Sequence, residues 1–596
     1  MIKNRLRMLV GGEAGDGVFA TSDMMALAFA RSGLEVFTTQ WYSSRIRGGH
    51  IHTKVRVDEN EIMCHADGLD LLFAMDRETV ELHHPKLVPG GILLYDSSDG
   101  VLKLDALNQR GVKVFGIPAR KIARDILQAP VMKNVILIGA AFALLDFDPD
   151  FKTLRGIIGQ RFLRKGREIV DKNIDAATMG LKEVKALLNG SPGYRLERVA
   201  KEPRILITGN EATALGALVA GCRFISGYPI TPATDILEFM AEHMPKYNGV
   251  VVQAEDELAA INMAIGAGFS GVRAMTATSG PGLSLMVEAT GLAGITETPV
   301  VIVDVQRVGP STGMPTRTEQ GDLNLIIFGA HGDAPRIVLA PSDLQECFYM
   351  TARAFNLAEK YQCPVFIASD QYIGQGKRTT EPFDLNRVII ERGDLLTEGR
   401  NLNKFLRYAD TETGISPRPL ITGEGPIVKT TGVQHVETGH ATENPELRAR
   451  GMDKLFRKMK HARRELKGPR VYGREDAPFT IVSWGSTKGV ILEVMRRLWE
   501  EGVDIKLMHI TDIWPFPDEK VSQVLSDSTL NICVENNFSG QLAGLIKRQT
   551  GMDTFKILSY SGDPISPENL YQALKEITGG YKNVVDAPHL EALRVI

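Results

Sequence analysis

The chain has 596 residues, 43% hydrophobic and 24% charged, the balance of a soluble globular protein with several domains. Its 69 Lys and Arg against 72 Asp and Glu leave a formal charge of −3, which offers no footprint for nucleic acid and no pull toward an anionic membrane. The longest apolar run, Val135–Leu145, is broken by Gly139 and falls short of the ~18 residues of a spanning helix, and Met1–Val10 leads into no secretory apolar segment, so a cytoplasmic protein is expected.

In chain order, Leu6–Val10 reads as a strand and the glycines at 11, 12, 15 and 17 as a loop. Val18–Ser32 follows as a helix ended by Gly33, and Leu34–Thr38 as a strand, which makes a βαβ unit. Tyr42–Val57 carries Arg45, Arg47, Gly48 and Gly49 at its centre, and 151–188 reads as amphipathic helix. The stretch from Asn189 to Gly193 marks a boundary. Beyond it, strands are expected at Arg204–Ile207, Arg223–Ser226, Val250–Val252, Val272–Thr276 and Val300–Val305. Helices are expected at Glu211–Ala220, at Thr231-Pro232 as N-cap and first helical residue, at Glu255–Ala267 and after Gly280-Pro281-Gly282. A polar region from Gln375 to Glu475 contains a basic helical piece. From Thr480 the βα alternation returns, with Val490, Ile491, Val494, Met495 and Leu498 on one helix face. The expected fold is α/β: three βα-type domains with mainly parallel sheets, at 1–190, 200–375 and 476–596, and a connector at 376–475.

The first glycine loop spaces its residues G-x-x-G-x-G from Gly12, so the dinucleotide fingerprint G-x-G-x-x-G fails. A helix start after a glycine loop favours an anion, and a plain tight turn explains the loop equally well. Gly15-Asp16-Gly17 is followed by no Asn until Asn60, 44 residues after Asp16, too far for the thiamine diphosphate pair Gly-Asp-Gly…Asn. The five cysteines are scattered with no C-x-x-C, which argues against a disulfide frame, a structural zinc site and an iron–sulfur cluster built from this chain alone. His50-x-His52 lies on one strand face without further ligands at metal spacing, so no metal is assigned; His83 and His84 read as surface residues before Pro85.

Four loops carry the strongest signals: Tyr228-Pro229-Ile230-Thr231-Pro232, Glu255-Asp256-Glu257, Thr276–Gly282, and Gln306–Thr316 with Gly-Pro-Ser-Thr-Gly. All follow parallel strands and are expected to meet in one crevice. Together they resemble the alpha subunit of 2-oxoacid:ferredoxin oxidoreductases, of the 2-oxoglutarate type with a gamma-like domain fused at the N-terminus. The resemblance extends to Gly-Glu-Ala-Gly-Asp-Gly and Ile46–Gly49 at the start, and to Val534-Glu535-Asn536-Asn537 and Ser539-Gly540-Gln541 near the end.

The resemblance implies a thiamine pyrimidine-binding domain at 200–375 and a transketolase C-terminal-like domain at 476–596. It implies coenzyme A-dependent oxidative decarboxylation of a 2-oxoacid with reduction of ferredoxin, or the reverse carboxylation. The thiamine diphosphate is shared with a beta subunit that carries Mg²⁺ and a [4Fe-4S] cluster, in an (alpha-beta)₂ heterotetramer. Glu257 matches the family's glutamate against the aminopyrimidine, with Glu255 and Asp256 as competitors and a dipole-favoured helix start as the plain alternative. Thr231 and Arg307 match the carboxylate-binding positions, while an N-cap and a surface ion pair are their plain alternatives. Thr278 and Ser279 join the substrate pocket; Tyr228, Pro229, Ile230 and Gly280 hold cofactor; Arg317 or His331 would meet a distal carboxylate. Arg45, Arg47, Gly48 and Gly49 are assigned to coenzyme A or the partner, or to a solvated basic turn. Other 2-oxoacids (pyruvate, branched-chain), a non-oxidative split decarboxylase and a catalytically silent scaffold are the competing readings.

Overall fold

The protein is described from a computed structural model over residues 2–42, 48–100, 102, 109–188, 190–191, 193–396, 405–421, 427–579 and 592–594. Its contacts divide it into two units, Met1–Ile207 with Gly376–Pro382, and Thr208–Gln375 with Phe383–Ile596.

In the first unit the βα pattern produces β1 (Leu6–Glu13), α1 (Val18–Arg31), β2 (Glu35–Trp41), β3 (His50–Asp58), β4 (Leu69–Ala74), α2 (Arg77–His83), β5 (Leu87–Asp96), β6 (Lys113–Ile117), α3 (Lys133–Leu144), α4 (Lys152–Phe162), α5 (Arg167–Leu187) and β7 (Ile205–Ile207). They form one eight-stranded sheet in the order β6-β5-β4-β1-β3-β2, then the short strand Arg378–Thr380, then β7. β6, β5, β4 and β1 run parallel. The expected β1-α1-β2 unit is present, but β3 inserts antiparallel between its two strands. β3 alternates buried and half-buried residues, which is the pattern of a strand with one covered face. The glycine that interrupts the apolar run of α3 is a packing device. A Cβ on Gly139 would lie 1.9 Å from Ala177 O, and one on Gly180 would lie 1.8 Å from Ile136 O, so α3 and α5 touch backbone to backbone.

His83 departs from the sequence expectation. It ends α2, is 5% exposed, and its Nε2 lies 2.8 Å from His50 Nε2. The apolar residues around α2 explain this: Val80 and Thr79 are buried on the same helix, so its last turn faces the sheet. Burial lowers the pKa of His50 and, joined by the neighbouring imidazoles, that of His52; burial with Lys86, His50 and Lys54 takes His83 down to about 3. All three imidazoles are therefore neutral near pH 7.

The second unit holds two further sheets. The first contains β8 (Phe224–Gly227), β9 (Val250–Gln253), β10 (Ala274–Thr278), β11 (Val300–Gln306), β12 (Ile337–Leu339) and β13 (Pro364–Asp370). It is covered by α6 (Gly209–Val219), α7 (Thr234–His243), α8 (Glu257–Ser270), α9 (Gly280–Leu285), α10 (Val287–Ile295) and α11 (Leu344–Tyr361). The strand order is β9-β8-β10-β11-β13-β12, all parallel, closed by an antiparallel edge strand at Asp512–Trp514. Thr208 and Glu211 form a capping box that starts α6, and Asp343 caps α11. One face of this sheet packs on α7 and α11, and the other on α8 to α10 and the C-terminal layer. The last sheet contains β14 (Arg470–Tyr472), β15 (Phe479–Trp484), β16 (Ile505–Ile510), β18 (Leu530–Glu535), β19 (Phe555–Leu558) and β20 (Ala592–Arg594), while β17 (Asp512–Trp514) is the edge strand of the preceding sheet. Its order is β14-β16-β15-β18-β19-β20, parallel except at β14. The predicted helix face Val490, Ile491, Val494, Met495 and Leu498 is buried on α13 (Thr487–Glu500). Among the described residues no helix is long and apolar enough to cross a membrane.

The polar connector folds against the unit through buried charges. Its helix α12 (Pro445–Glu465) aims Lys454 and Lys458 at the Glu297 carboxylate, which is 2% exposed. Burial alone would raise the Glu297 pKa, yet Lys458, Lys454 and Arg407 pull it down to about 2. Glu359 is equally buried and takes Arg273, Arg392 and Arg418.

Removing one partner of such a cluster leaves charge buried without compensation. Glu297→Gln is expected to destabilise the chain by about 3–5 kcal/mol at pH 7 in denaturant unfolding. Because the folded pKa is depressed, the native carboxylate contributes stability above its ordinary value of 4.5 and loses it as pH falls toward about 2. The wild-type advantage over the variant should shrink in that window; a pH-independent difference would refute the pairing.

Candidate active site

Four neighbouring parallel strands end on one edge of the first sheet of the second unit: β9 at Gln253, β8 at Gly227, β10 at Thr278 and β11 at Gln306. The four signal loops follow directly from these ends. They come together because parallel strands deliver every βα loop to the same edge.

The first loop leaves β8 through Tyr228, which is 42% exposed, and Pro229, also exposed; Ile230 is half-buried. Thr231 is not the expected N-cap. The Thr231-Pro232 bond is cis, and α7 begins three residues later, at Thr234, with Ala233 at the cap and no side-chain capping bond. Thr231 and Pro232 therefore extend the loop ahead of the helix.

The second loop separates its three acids. Glu255 is exposed, and Asp256 is the N-cap of α8, accepting from Ala259 N–H at 2.7 Å. Glu257 is 6% exposed, and its carboxylate has no hydrogen-bond partner among the described residues. Gly282, on the third loop, makes room for it. A Cβ at Gly282 would sit 2.1 Å from Thr278 Oγ1 and 2.6 Å from Glu257 Oε1, so both oxygens crowd one point. Thr278 and Ser279 are fully buried, and Thr276 Oγ1 and Ser279 Oγ are also unpartnered among the described residues. Gly280 begins α9 beside the Asp322 carboxylate.

Arg307 joins the first and fourth loops. It is 7% exposed, donates from Nη1 to Thr231 O at 2.7 Å and from Nη2 to Thr312 O at 2.9 Å, and keeps a buried Nε without a partner among the described residues. Burial lowers its pKa, with Asp322 opposing. It is no surface ion pair. Of the two residues suggested for a distal carboxylate, Arg317 pairs with Asp563 at 2.7 Å and His331 is exposed.

Sequence reasoning missed the layer beneath these loops. Asp304, on β11, and Asp322 face one another, and a hydrogen bond between them needs a shared proton. Burial and the other carboxylate raise Asp304 well above the ordinary range; burial and Glu319 raise Asp322 to about 6. The one available signal was an acid inside the apolar strand Val300–Gln306. Gln320 was missed too. It clamps the fourth loop to the C-terminal layer, donating to Trp484 O and accepting from Asn536 N–H, while its backbone N–H donates to Asn536 O at 2.7 Å. The Val534–Asn537 motif therefore acts on the loop next to the site, with Glu535 held by Asn537 Nδ2 and two backbone N–H groups.

In the first unit, Arg45 and Arg47 lie outside the described residues. Gly48 and Gly49 adopt φ of 77° and 87°, and Gly49 O accepts from Ala14 N–H at 3.0 Å. The Gly-Gly turn and the first glycine loop are thus adjacent. In that loop the Asp16 carboxylate pairs with Lys133 at 2.9 Å beside the start of α1.

The comparisons agree with this architecture. The family described as pyruvate flavodoxin/ferredoxin oxidoreductase, thiamine diphosphate-binding, matches residues 215–454, which include all four loops. Pyruvate ferredoxin/flavodoxin oxidoreductase matches 7–183, and pyruvate:ferredoxin oxidoreductase core domain II matches 477–568. A 2-oxoacid:ferredoxin oxidoreductase subunit alpha of Sulfolobus sp is 34% identical over 98% of both chains. The 2-oxoglutarate synthase subunit KorA of Methanothermobacter thermautotrophicus is 39% identical over 61% of this chain and 96% of its own. The structure of 2-oxoglutarate:ferredoxin oxidoreductase from Magnetococcus marinus, with 2-oxoglutarate, coenzyme A and succinyl-CoA bound, shares 36% identity and a TM-score of 0.90 over 96% of this chain and 99% of that one. Fold and site define an oxidoreductase subunit with a thiamine-type catalytic domain. Within that class, the chain belongs to the 2-oxoacid:ferredoxin oxidoreductase alpha subunits.

The acid pair sets a pH test. A carboxyl raised in the folded state contributes stability below its ordinary pKa of 3.8 and loses it as pH rises through about 6. Asp304→Asn supplies a permanent donor to Asp322, so the variant should be more stable than wild type at pH 8, by on the order of 1 kcal/mol, and should lack the wild-type decline between pH 4 and 6. A variant equally destabilised at pH 5 and pH 8 would refute the shared proton.

Proposed function

We propose that this chain is the fused gamma-alpha subunit of a coenzyme A-dependent 2-oxoglutarate:ferredoxin oxidoreductase. It works in the cytoplasm with a beta subunit that carries Mg²⁺, the diphosphate site and a [4Fe-4S] cluster, as an (alpha-beta)₂ assembly. Domains at 1–190, 200–375 and 476–596 carry the gamma-like, pyrimidine-binding and transketolase C-terminal-like roles. The observation that carries the reading is the largely buried Glu257 at the start of α8, its carboxylate beside Gly282 and Thr278 and without a hydrogen bond among the described residues.

These residues fit an aminopyrimidine. The Glu257 carboxylate, with no hydrogen bond among the described residues, and the unpartnered Thr276 and Ser279 hydroxyls offer the polar groups that an aminopyrimidine would meet. Tyr228, Pro229, Ile230 and Gly280 are assigned to holding the cofactor, and Glu257 would meet the ring nitrogen N1′. Bound thiamine diphosphate supplies the carbon nucleophile and electron sink that decarboxylation requires. Glu257 holds a proton at N1′ and keeps it in a water-poor space, where the exchange is strong. Arg307 presents N–H donors that its two carbonyl contacts leave free, which suits a substrate carboxylate. Thr231 fixes the guanidinium through its carbonyl, and the Thr278 and Ser279 hydroxyls orient the 2-oxo group. The adjacent glycine turns of the first unit, with Arg45 and Arg47 between β2 and β3, support a coenzyme A or partner role there. All five cysteines are buried and unlinked, which supports cluster ligation by another chain.

In the anaerobically purified complex, Glu257→Gln should lower kcat for 2-oxoglutarate-dependent viologen reduction by about 10²–10⁴-fold while the complex stays assembled. Near-normal turnover would remove Glu257 from the chemistry. Arg307→Ala should raise KM by roughly 10–100-fold, the equivalent of one lost charged hydrogen bond; an unchanged KM for every 2-oxoacid would refute that role. Wild-type complex should prefer 2-oxoglutarate over pyruvate and branched-chain 2-oxoacids in kcat/KM. Release of free aldehyde without coenzyme A would point instead to a non-oxidative decarboxylase.

A further inference from the structure

The first unit gathers three imidazoles that none of the chemistry above uses. His50 and His52 stand two residues apart on β3, so strand periodicity turns them to one face. His83, at the end of α2, meets them there. One ligand atom from each ring lies within 4.8 Å of the others. His50 and His83 stand Nε2 to Nε2 at 2.8 Å, a contact that needs a proton or a cation between the two nitrogens. The Nδ1 atoms of all three rings are buried without hydrogen-bond partners among the described residues. An interior usually satisfies such nitrogens, and three together are an uncommon expense for a fold.

The backbone has cleared space for the cluster. β1 passes alongside with Gly11 opposite His52 and Glu13 opposite His50. A Cβ at Gly11 would stand 3.1 Å from His50 Cε1 and 2.6 Å from Thr79 Cγ2, so a larger residue would displace the ring. Trp41 stacks on His52 at 5.1 Å between centroids and limits its rotation. Asp76 and Glu78 bring negative charge toward His50, and Lys86 and Lys54 oppose it. The Lys54 ammonium is drawn over the Trp41 ring, 5.0 Å from its centroid.

We propose that His50, His52 and His83 form a binding site for a divalent transition-metal ion of the zinc class. Three imidazoles suit borderline ions such as Zn²⁺ and Co²⁺ over the hard, oxygen-seeking Mg²⁺ and Ca²⁺. Metal–nitrogen bonds of about 2.0–2.1 Å require only small ring movements from nitrogens already this close. Three protein ligands leave a further coordination position for water or an exogenous anion. The ion would tie β3 to α2 beside the first glycine loop. The absence of a third ligand at sequence spacing was the reason to assign no metal; the fold supplies it from His83.

The test uses the full-length chain, freed of metal by chelation and titrated with Co²⁺ alone and Zn²⁺ alone. The expected result is one saturable equivalent per chain, the strong visible absorption of four- or five-coordinate cobalt, and a rise in melting temperature with zinc. X-ray absorption of the zinc form should count three imidazoles near 2.0–2.1 Å. His83→Gln should weaken binding at least about tenfold without touching Glu257 or Arg307. Should that variant fail to fold, the absorption spectrum of wild type still decides. Weak octahedral cobalt bands, fewer than two imidazoles at the bound zinc, or unchanged affinity in a soluble His83→Gln variant would each overturn the site. In those cases the three rings are a neutral stack packed on Trp41.

Discussion

One buried guanidinium holds the active edge in place. A parallel sheet delivers its loops to a common edge but does not fix their shapes, because loop backbone has no ladder to join. Arg307 fixes two of them at once by donating to Thr231 O and Thr312 O. The arrangement is stable only as a whole. Arg307 has lost most of its water, so its donors need carbonyls, and those carbonyls exist at that point only when both loops are folded. Gln320 extends the same logic to the C-terminal layer, where Trp484 and Asn536 satisfy its amide. The C-terminal sheet thereby positions a loop beside the site without placing its own Glu535 in the pocket.

Against that ordered frame, Glu257 stands out by what it lacks. Nearly every other buried acid in the second unit is answered by protein groups: Glu297 by two lysines, Glu359 by three arginines, Glu535 by backbone and amide N–H groups. Asp304 and Asp322 have only each other, and burial raises the pKa of both, so a proton held between them would answer the pair. Glu257 has no such protein partner among the described residues, and its carboxylate lies beside Gly282 and Thr278. Clusters such as Glu297 with its lysines contribute little net stability, since desolvation offsets attraction. Their consequence is geometric, because the polar connector must dock where its buried cations reach these carboxylates.

Much of the architecture was legible because βα alternation, glycine helix stops and the Val490–Leu498 face are local patterns. The loops with chemistry were legible as motifs, and Glu257 was preferred to Glu255 and Asp256 by its match to the family's glutamate; burial and capping then distinguish the three. Thr231 misled because a Thr-Pro pair is also a helix-start signature; the backbone takes a cis turn there instead. His83 misled because a histidine before His-Pro looks solvated, while the apolar side of α2 turns it inward. Asp304 and Gln320 gave almost no signal, since their partners are 18 and 216 residues away in sequence, at Asp322 and Asn536.

The sequence by itself determined the strand and helix periods, the family to which the chain belongs, and which loops hold polar groups at strand ends. These follow from residue spacing, which acts within a few turns of chain. Only the tertiary structure decided which acid is open, which arginine braces the site, where β3 enters its sheet, and that three histidines meet. Burial and pairing depend on contacts between segments far apart in sequence, and a free carboxylate or a shared proton exists only after those segments have excluded water.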